Sequence, residues 1–312
     1  MNTRATIRLL PDGRRLYLND GPIDLIVGAD GASEEVARAY QAAASRFVTI
    51  LDELCEELSL LRTRASNHSP FPKGHIAGRM SDAVSAYQER CFITPMAAVA
   101  GAVAEAVLAT MTEAAELQRA YVNNGGDIAL HVSPGHSYAI GMIERPENPS
   151  LFGKFDISFT LPVRGVATSG WRGRSFSLGI ADAATVLAAS APAADVAATI
   201  VANAVNLPDH PAIARVPARE VSPDSDLLDL PVTRAVGALC VEEIFEALKA
   251  GATVAHELQA KGWIHAAAVC LQGQVLLVDP PFDPIGLKST GILPPVVARE
   301  VNNAQSQRRA RA

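Results

Sequence analysis

The amino-acid sequence predicts an α+β protein in which an antiparallel sheet packs against long helices. Three observations support this class. Apolar residues make up 49% of the 312 positions, which is enough for a substantial core. Alanine-rich amphipathic segments dominate the first third of the chain, and alanine favours closely packed helices. From Tyr121 onward, short segments rich in β-forming residues alternate in polarity or run apolar, which is typical of strands.

The segments before Tyr121 predict one hairpin and three helices. Leu16–Leu18 and Ile23–Val27 flank an Asn-Asp-Gly-Pro turn and should be strands. An amphipathic pattern then extends from Ser33 to Arg62, with acidic residues in its first turn that suit the helix dipole. Further helical patterns cover Ile76–Arg90 and, after a proline in the first turn, Pro95–Arg119.

The rest of the chain predicts the sheet, a further helix and a smaller carboxy-terminal unit. Strands are expected at Ile128–Val132, Tyr138–Ile143, Phe155–Leu161 and Ser177–Leu187, followed by a helix at Pro192–Val205. Prolines recur through 207–231, so we expect most of that stretch to be an irregular surface connection. We therefore divide the chain into a core at 1–206, this connection, an α/β unit at 232–285 with a helix at Val241–Lys261 and strands at Ile264–Val269 and Gln274–Val278, and a tail at 286–312.

Charge and composition exclude several classes of partner. The net charge of −6, without a dense basic stripe before the tail, argues against nucleic acid. Met1–Leu10 lacks the apolar stretch of a secretory signal, and the apolar run Pro95–Met111 is shorter than the roughly 20 residues of a spanning helix. We expect a cytoplasmic protein with no membrane partner and, because its alanine-rich helices offer apolar surface, a homodimer. The four widely spaced cysteines are expected to be reduced, buried thiols.

The first candidate site segment is the Asn-Asn-Gly-Gly-Asp sequence between two expected strands. Asn-Gly is a strong hairpin signal, so a purely structural turn is one interpretation. The alternative is a ligand site, since two glycines permit close backbone approach while amide and carboxylate groups supply polar contacts. The residues in question are Asn123, Asn124, Gly125, Gly126 and Asp127.

The second candidate segment, Gly165–Ser175, combines glycines, hydroxyls and two arginines. Backbone N–H groups, hydroxyls and guanidinium groups all suit phosphate oxygens, and an indole ring could stack on a planar ligand. The segment matches neither a Walker A loop nor Gly-x-Gly-x-x-Gly, so a solvated turn remains an equal interpretation. The candidate residues are Thr168, Ser169, Gly170, Trp171, Arg172 and Arg174.

The third candidate segment is the start of the helix at Pro192–Val205. The i, i+4, i+8 spacing places Asp195, Thr199 and Asn203 on one helix face. A carboxylate and a hydroxyl one turn apart suit Mg²⁺, which prefers oxygen ligands and keeps several waters. The alternative is that Asp195 only favours the amino terminus of the helix.

These segments, in this order, resemble the ApbE superfamily, whose best-known members are FAD:protein FMN transferases. Together with Phe92–Gly101, they resemble more closely an uncharacterised ApbE-like family of bacteria and archaea, family 0280, over Arg15–Val278. The resemblance implies an ApbE-like fold and a dinucleotide pocket lined by Asn124–Asp127 and Ala167–Gly170. It also implies that Asp195 and Thr199 bind Mg²⁺.

The resemblance further implies a Mg²⁺-assisted transferase that uses FAD or FMN, or another phosphorylated ligand or nucleotide, and passes a group to an acceptor protein. Asp127, Thr168 and Ser169 are then the candidate catalytic groups. Two features of the flavin transferases are missing. Their His-x-x-Asp-Pro-x-Thr-Gly signature is replaced by Ser175–Asp182, and their helix-start lysine is replaced by Ala100.

Two alternatives keep the scaffold and change the chemistry. In one, Cys91, just before a helix start, is a thiolate of lowered pKa in sulfur or redox chemistry. In the other, the protein binds a ligand without catalysis. Metal-dependent cleavage, selective alkylation of Cys91, or binding without turnover would distinguish the three hypotheses.

Overall fold

The computed structural model describes residues 4–143 and 151–278, and its centre is a nine-stranded antiparallel sheet. The strands of the chain are β1 (Thr6–Leu9), β2 (Leu16–Asp20), β3 (Ile23–Asp30), β4 (Arg119–Asn124), β5 (Asp127–Val132), β6 (Ser137–Ile143), β7 (Leu151–Ser158), β8 (Gly165–Ser169), β9 (Ala183–Ala188), β10 (Ile213–Pro217), β11 (Pro231–Val236), β12 (Ala266–Leu271) and β13 (Gln274–Val278). The main sheet has the order β1-β2-β3-β4-β5-β8-β9-β12-β13. β6 with β7, and β10 with β11, form separate two-stranded sheets.

The helices between these strands are α1 (Ser33–Glu56), α2 (Leu58–Leu61), α3 (His75–Ser85), α4 (Val99–Ala114), α5 (Ala191–Ala204), α6 (Ala218–Val221) and α7 (Val241–Ala260). A 3₁₀ turn at Pro95–Ala98 leads into α4. In α1 the buried residues recur every three or four positions, as in Ala43, Phe47, Ile50 and Leu54, so one helix face packs on the sheet.

The sheet separates two cores of unequal size. The large core joins the long helices to one face of the sheet, through residues such as Leu25, Phe47 and Val186. A smaller cluster on the other face joins Leu130, Val166 and Leu187 to side chains of the β6–β7 hairpin. We call the two sides of the sheet the helix face and the hairpin face.

The predicted α+β class with an antiparallel sheet is confirmed, with differences at element boundaries. The helix predicted for Pro95–Arg119 ends at Ala114, and Arg119 instead opens β4. The first five residues of Gly165–Ser175 form β8 rather than a loop. The stretch 207–231, predicted to be mostly irregular, contains β10 and α6 and ends where β11 begins.

The carboxy-terminal strands extend the main sheet. β12 pairs antiparallel with β9, with Ala268 opposite Thr185, and β13 pairs with β12. Strands from the predicted carboxy-terminal unit therefore share one sheet with the predicted core, while the predicted tail, 286–312, lies outside the described residues. The division into domains stays a prediction.

Within the described residues, one helical segment, formed by the 3₁₀ turn and α4, is long and apolar enough to be compared with a membrane span. Pro95–Ala114 reaches 20 residues with a mean hydropathy of 1.4, so by length and composition alone it could cross a membrane. The predicted shortfall in length was therefore wrong. In the structure more than half of this segment is buried, and α4 packs against α1, α3 and α5 and the strands β4 and β5. Helix α4 therefore has the position of a core helix in a globular fold.

The amino-terminal ends of α4 and α5 meet at a glycine. A Cβ at Gly101 would clash with the backbone of Ala191 and Pro192, so only glycine permits this approach. Each helix also supplies a carboxylate to the other. The Gly101 N–H donates to Oδ2 of Asp195 at 2.9 Å, and the Ala191 N–H donates to Oε2 of Glu105 at 3.1 Å. The first N–H groups of both helices are thus satisfied by the neighbouring helix.

We predict that Gly101→Ala lowers the free energy of unfolding by about 1–3 kcal/mol, because the added methyl group forces two backbones apart. Urea unfolding followed by circular dichroism measures the change. Gly78→Ala is the matched control, since that helical glycine faces only the Phe71 ring, which can move aside. The control should be neutral or stabilising by up to about 1 kcal/mol. Equal stability of Gly101→Ala and the wild type would contradict the prediction.

Candidate functional site

The Asn-Asn-Gly-Gly-Asp segment forms the tight turn between β4 and β5. Gly125 and Gly126 have φ angles of +67° and +115°, which favour glycine. The side-chain oxygen of Asn123 accepts the Gly126 N–H at 2.8 Å and closes the turn. Asn124 is buried, and its Nδ2 donates to the carbonyl of Ala100 at 3.2 Å, which ties the turn to the start of α4. The turn is therefore structural, and it also delivers Asp127 to the helix face.

The side chains of Thr168 and Ser169, the two predicted catalytic hydroxyls, lie on opposite faces of the sheet because successive residues of a strand alternate. Ala167 belongs to the large core, and Val166 belongs to the smaller one, so Ala167 points to the helix face. Ser169, two residues on, shares that face. Thr168 points to the hairpin face, where its hydroxyl lies 2.9 Å from that of Thr185. The contribution of Thr168 to the site is its main-chain N–H, which hydrogen-bonds the Asp127 carboxylate.

Asp195 projects from the second turn of α5 towards the start of α4. Its carboxylate accepts N–H groups from Gly101 and Ala100, so it caps α4 from a different helix. Asp195 thus has a third role, which was not considered from the sequence. The two considered roles were to favour the amino terminus of its own helix and to bind a metal ion. A carboxylate has about four lone-pair sites, and two N–H bonds leave capacity for another ligand.

The carboxylates of Asp127 and Asp195 lie close enough to repel each other. Burial raises the pKa of Asp127 to about 7, although the N–H of Thr168 and the charge of Arg174 oppose the rise. Burial, then the charge of Asp127, raises the pKa of Asp195 well above its ordinary value. Two partly buried carboxyl groups are thus held together. Such an arrangement favours a bound cation or a shared proton.

The loop after β8 covers this pair from outside. Arg174 is exposed, and a Cβ at Gly125 would clash with its guanidinium, so Arg174 lies directly against the turn. Arg172 instead pairs with the buried Asp182, with Nε 2.7 Å from Oδ1. Its guanidinium lies 4.3 Å from the centre of the Trp171 ring, and Trp171 Nε1 also donates to Asp182. One face of Trp171, predicted to stack on a ligand, is therefore covered by Arg172.

The metal site predicted at Asp195 and Thr199 has suitable chemistry. The two residues lie one turn apart on α5, and Asp127 adds a second carboxylate nearby. Within residues 4–143 and 151–278, no group of three or more His, Cys, Asp or Glu side chains is placed to hold a metal ion. A Mg²⁺ ion would need only one or two carboxylates, a hydroxyl and water, so the oxygen donors present fit it.

Asn203, the third residue on that face of α5, has a structural role. Its Oδ1 accepts the Leu178 N–H at 2.9 Å and the Ser177 hydroxyl at 3.1 Å. It thereby anchors the segment that replaces the flavin-transferase signature.

The expected lowering of the Cys91 pKa was wrong. Burial raises the pKa of this thiol, and the nearby Arg90 and Arg64 only partly oppose the rise. The thiol lies 3.8 Å from the carbonyl of Tyr87, to which it donates, and packs against the large core. A half-buried thiol of raised pKa is a poor nucleophile at neutral pH, which argues against the thiolate hypothesis.

The sequence did not single out three groups that shape the site. The Ala100 and Gly101 N–H groups hold Asp195, Glu105 holds the start of α5, and Asp182 holds the loop. Glu105 was visible as a lone charge in an apolar run, and it also pairs with Arg79. The roles of the Ala100 and Gly101 N–H groups could not be predicted, because nearly every residue has a backbone N–H group.

A model of the protein family described as "AbpE bacteria" matches residues 7–277. The chain belongs to this AbpE bacteria family. The match spans the helices, the main sheet and all three candidate segments, and it confirms the resemblance to an uncharacterised ApbE-like family.

Curated relatives align with parts of the chain. A "UPF0280 protein" of Methanococcus vannielii is 36% identical over 149 residues, which cover 46% of this chain and 59% of the relative. Another, of Methanopyrus kandleri, is 38% identical over 144 residues, covering 45% and 55% respectively. The chain therefore spans little more than half the length of these relatives.

A solved structure with a similar arrangement is the apo form of the flavinyl transferase ApbE of Pseudomonas stutzeri. It aligns over 92% of this chain and 97% of that chain, with 12% identity and a TM-score of 0.43. An alignment at that level supports no inference about the chemistry of this AbpE bacteria member.

We predict that Asp127 contributes less to the stability of the metal-free protein as the pH rises from about 4 to about 7. The folded-state pKa of Asp127 lies above its unfolded value, so the contribution of this group is complete below about pH 4 and is lost as the carboxyl ionises. Urea unfolding in EDTA, at pH 5 and pH 8, measures the loss.

Asp127→Asn provides the comparison, because histidine titration affects both proteins equally. The stability of the variant relative to the wild type should rise by at least about 1 kcal/mol between pH 5 and pH 8. A constant difference across this range would show that the carboxyl is not perturbed.

The expectation that the cysteines are buried was wrong for Cys55 and Cys240, which are exposed. We also predict that iodoacetamide modifies Cys55 faster than Cys91. Peptide mass spectrometry over a time course gives both rates. Preferential labelling of Cys91 would restore the thiolate hypothesis.

Proposed function

We propose that this protein is a Mg²⁺-assisted enzyme acting on a phosphorylated or nucleotide ligand, with transfer of a flavin nucleotide to an acceptor protein as its specific reaction. The observation that carries the proposal is the close pair of carboxylates, Asp127 and Asp195, on the helix face. Membership of the AbpE bacteria family supports it. We further propose that the protein works in the cytoplasm.

The residues have distinct proposed roles. Asp195 and Thr199 would hold Mg²⁺, and a bound Mg²⁺ would neutralise charge on the phosphates and on the leaving group. Arg174, against the Asn-Gly-Gly turn, supplies a further positive charge for phosphate oxygens. A Cβ at Gly126 would meet no atom within 4 Å, so this glycine leaves space for a ligand close to the backbone.

Asp127 is the proposed general base. A pKa of about 7 suits proton transfer near neutral pH, and the Thr168 N–H fixes the carboxylate in place. With FAD as donor, the hydroxyl oxygen of the acceptor forms a bond to the phosphorus of the FMN half. The bond from that phosphorus to the bridging oxygen breaks, and AMP leaves with that oxygen. The hydroxyl proton passes to Asp127.

We predict that the wild type binds one of FAD, FMN or ATP in the presence of Mg²⁺, measured by calorimetry with and without the metal. Thr199→Val should weaken Mg²⁺-dependent binding at least about tenfold, because it removes an oxygen ligand and preserves side-chain shape. Asp195→Asn should do the same, although it also alters a helix cap. Thr253→Val, on α7, is the matched control and should bind as the wild type does.

Product analysis then separates catalysis from binding alone. Release of AMP from FAD, with FMN attached to an acceptor hydroxyl, supports the specific reaction. Tight binding without turnover supports the non-catalytic alternative, and no Mg²⁺-dependent binding of any nucleotide overturns the proposal.

A further inference from the structure

The loop from Gly170 to Arg174 is anchored by one buried carboxylate. The Asp182 side chain is 1% exposed. Its Oδ1 accepts Arg172 Nε at 2.7 Å and Trp171 Nε1 at 3.1 Å, while its Oδ2 accepts the Gln272 N–H at 2.6 Å. Three donors from two separate segments therefore converge on a single carboxylate, and one of them, the Arg172 guanidinium, is charged.

The backbone reinforces the same attachment. The Trp171 N–H donates to the Ala181 carbonyl at 3.0 Å, and a Cβ at Gly170 would clash with the Asp182 carbonyl. The Gly173 N–H donates to the Gly170 carbonyl at 3.1 Å, which makes the loop a tight turn. The loop is thus anchored at its beginning, and its last residue, Arg174, is exposed and lies against the turn at Gly125.

The far side of Asp182 is also fixed. Gln272 lies in the turn between β12 and β13, and its side chain bonds Gly237 and Leu239 at 2.7 Å and 3.3 Å. The Asp182 N–H donates to the Cys270 carbonyl at 2.9 Å. The Asp182 carboxylate therefore links the β12–β13 turn to the loop beside the candidate site, so the turn fixes where that loop lies.

We propose that Asp182 is a positioning residue: it holds the Gly170–Arg174 loop so that Arg174 lies over the Asn-Gly-Gly turn and meets an anionic ligand there. The ligand part of this inference rests on the proposed function. The Asp182 side chain is 1% exposed, so it does not contact a ligand itself, and its effect on binding must pass through the loop that carries Arg174. An asparagine at position 182 would present an NH₂ group to converging N–H donors and release the loop.

The first experiment tests the loop without any ligand. Limited trypsin digestion of the full chain, mapped by mass spectrometry, measures cleavage after Arg172 and Arg174, with cleavage after the exposed Arg62 as internal reference. Asp182→Asn should accelerate cleavage in the loop at least about fivefold. Asp229→Asn is the matched control, since its carboxylate pairs with Arg219 on the surface, and it should leave cleavage unchanged. Unchanged cleavage in Asp182→Asn overturns the proposal.

The second experiment tests the route through Arg174 with a double-mutant cycle. Binding of inorganic pyrophosphate with Mg²⁺ is measured by calorimetry for the wild type, Asp182→Asn, Arg174→Gln and the double variant. We expect each single change to weaken binding five- to twentyfold, and the double variant to bind as weakly as Arg174→Gln alone. If the fold-loss in affinity of the double variant equals the product of the two single fold-losses, Asp182 acts independently of Arg174, and this would overturn the proposal.

Failure of the proposed function gives a different result. If the wild type does not bind pyrophosphate with Mg²⁺, the phosphate hypothesis fails, while faster loop cleavage in Asp182→Asn still supports the positioning role.

Discussion

The contact between the starts of α4 and α5 is the constraint on which the site depends. Gly101 lets the two backbones touch, and Asp195 and Glu105 satisfy each other's helix ends. Because Asp195 must reach Gly101, the start of α5 is fixed against α4, and β4 is tied to the same point through Asn124. The geometry of the carboxylate pair is therefore a property of the core rather than of a flexible loop.

This constraint forces an electrostatic conflict that the fold does not resolve. Asp127 is brought to the helix face by the β4–β5 turn, where it meets Asp195, and the charge of Arg174 opposes the resulting rise in its pKa. A protein core selected for stability alone would favour apolar groups at such a position. Two carboxyl groups of raised pKa beside a turn with open space at Gly126 support the proposal that a ligand binds there.

Much of this architecture could be predicted from the sequence, because local periodicity marks helices and strands. The amphipathic repeat through Phe47 and Ile50 predicted α1, and Asn124-Gly125 predicted the β4–β5 turn. β8 was missed because its glycine and hydroxyls are typical of loops, while its pairing with β5 and β9 is set by tertiary contacts. Likewise, Arg172 pairs with Asp182, and Asn203 hydrogen-bonds Ser177, because the fold brings these residues together in space. Neither can be inferred from spacing along the chain.

The position of β12 in the sheet has a consequence for the biosynthesis of the protein. β9 is buried along its whole length, yet one of its edges is completed only by β12, which follows far later in the chain. A nascent chain emerging from the ribosome therefore carries an apolar strand with an unpaired edge until Ala266–Leu271 has been translated. Such an edge can pair with another chain, so translational pausing within α7 would prolong the period in which the newborn protein aggregates.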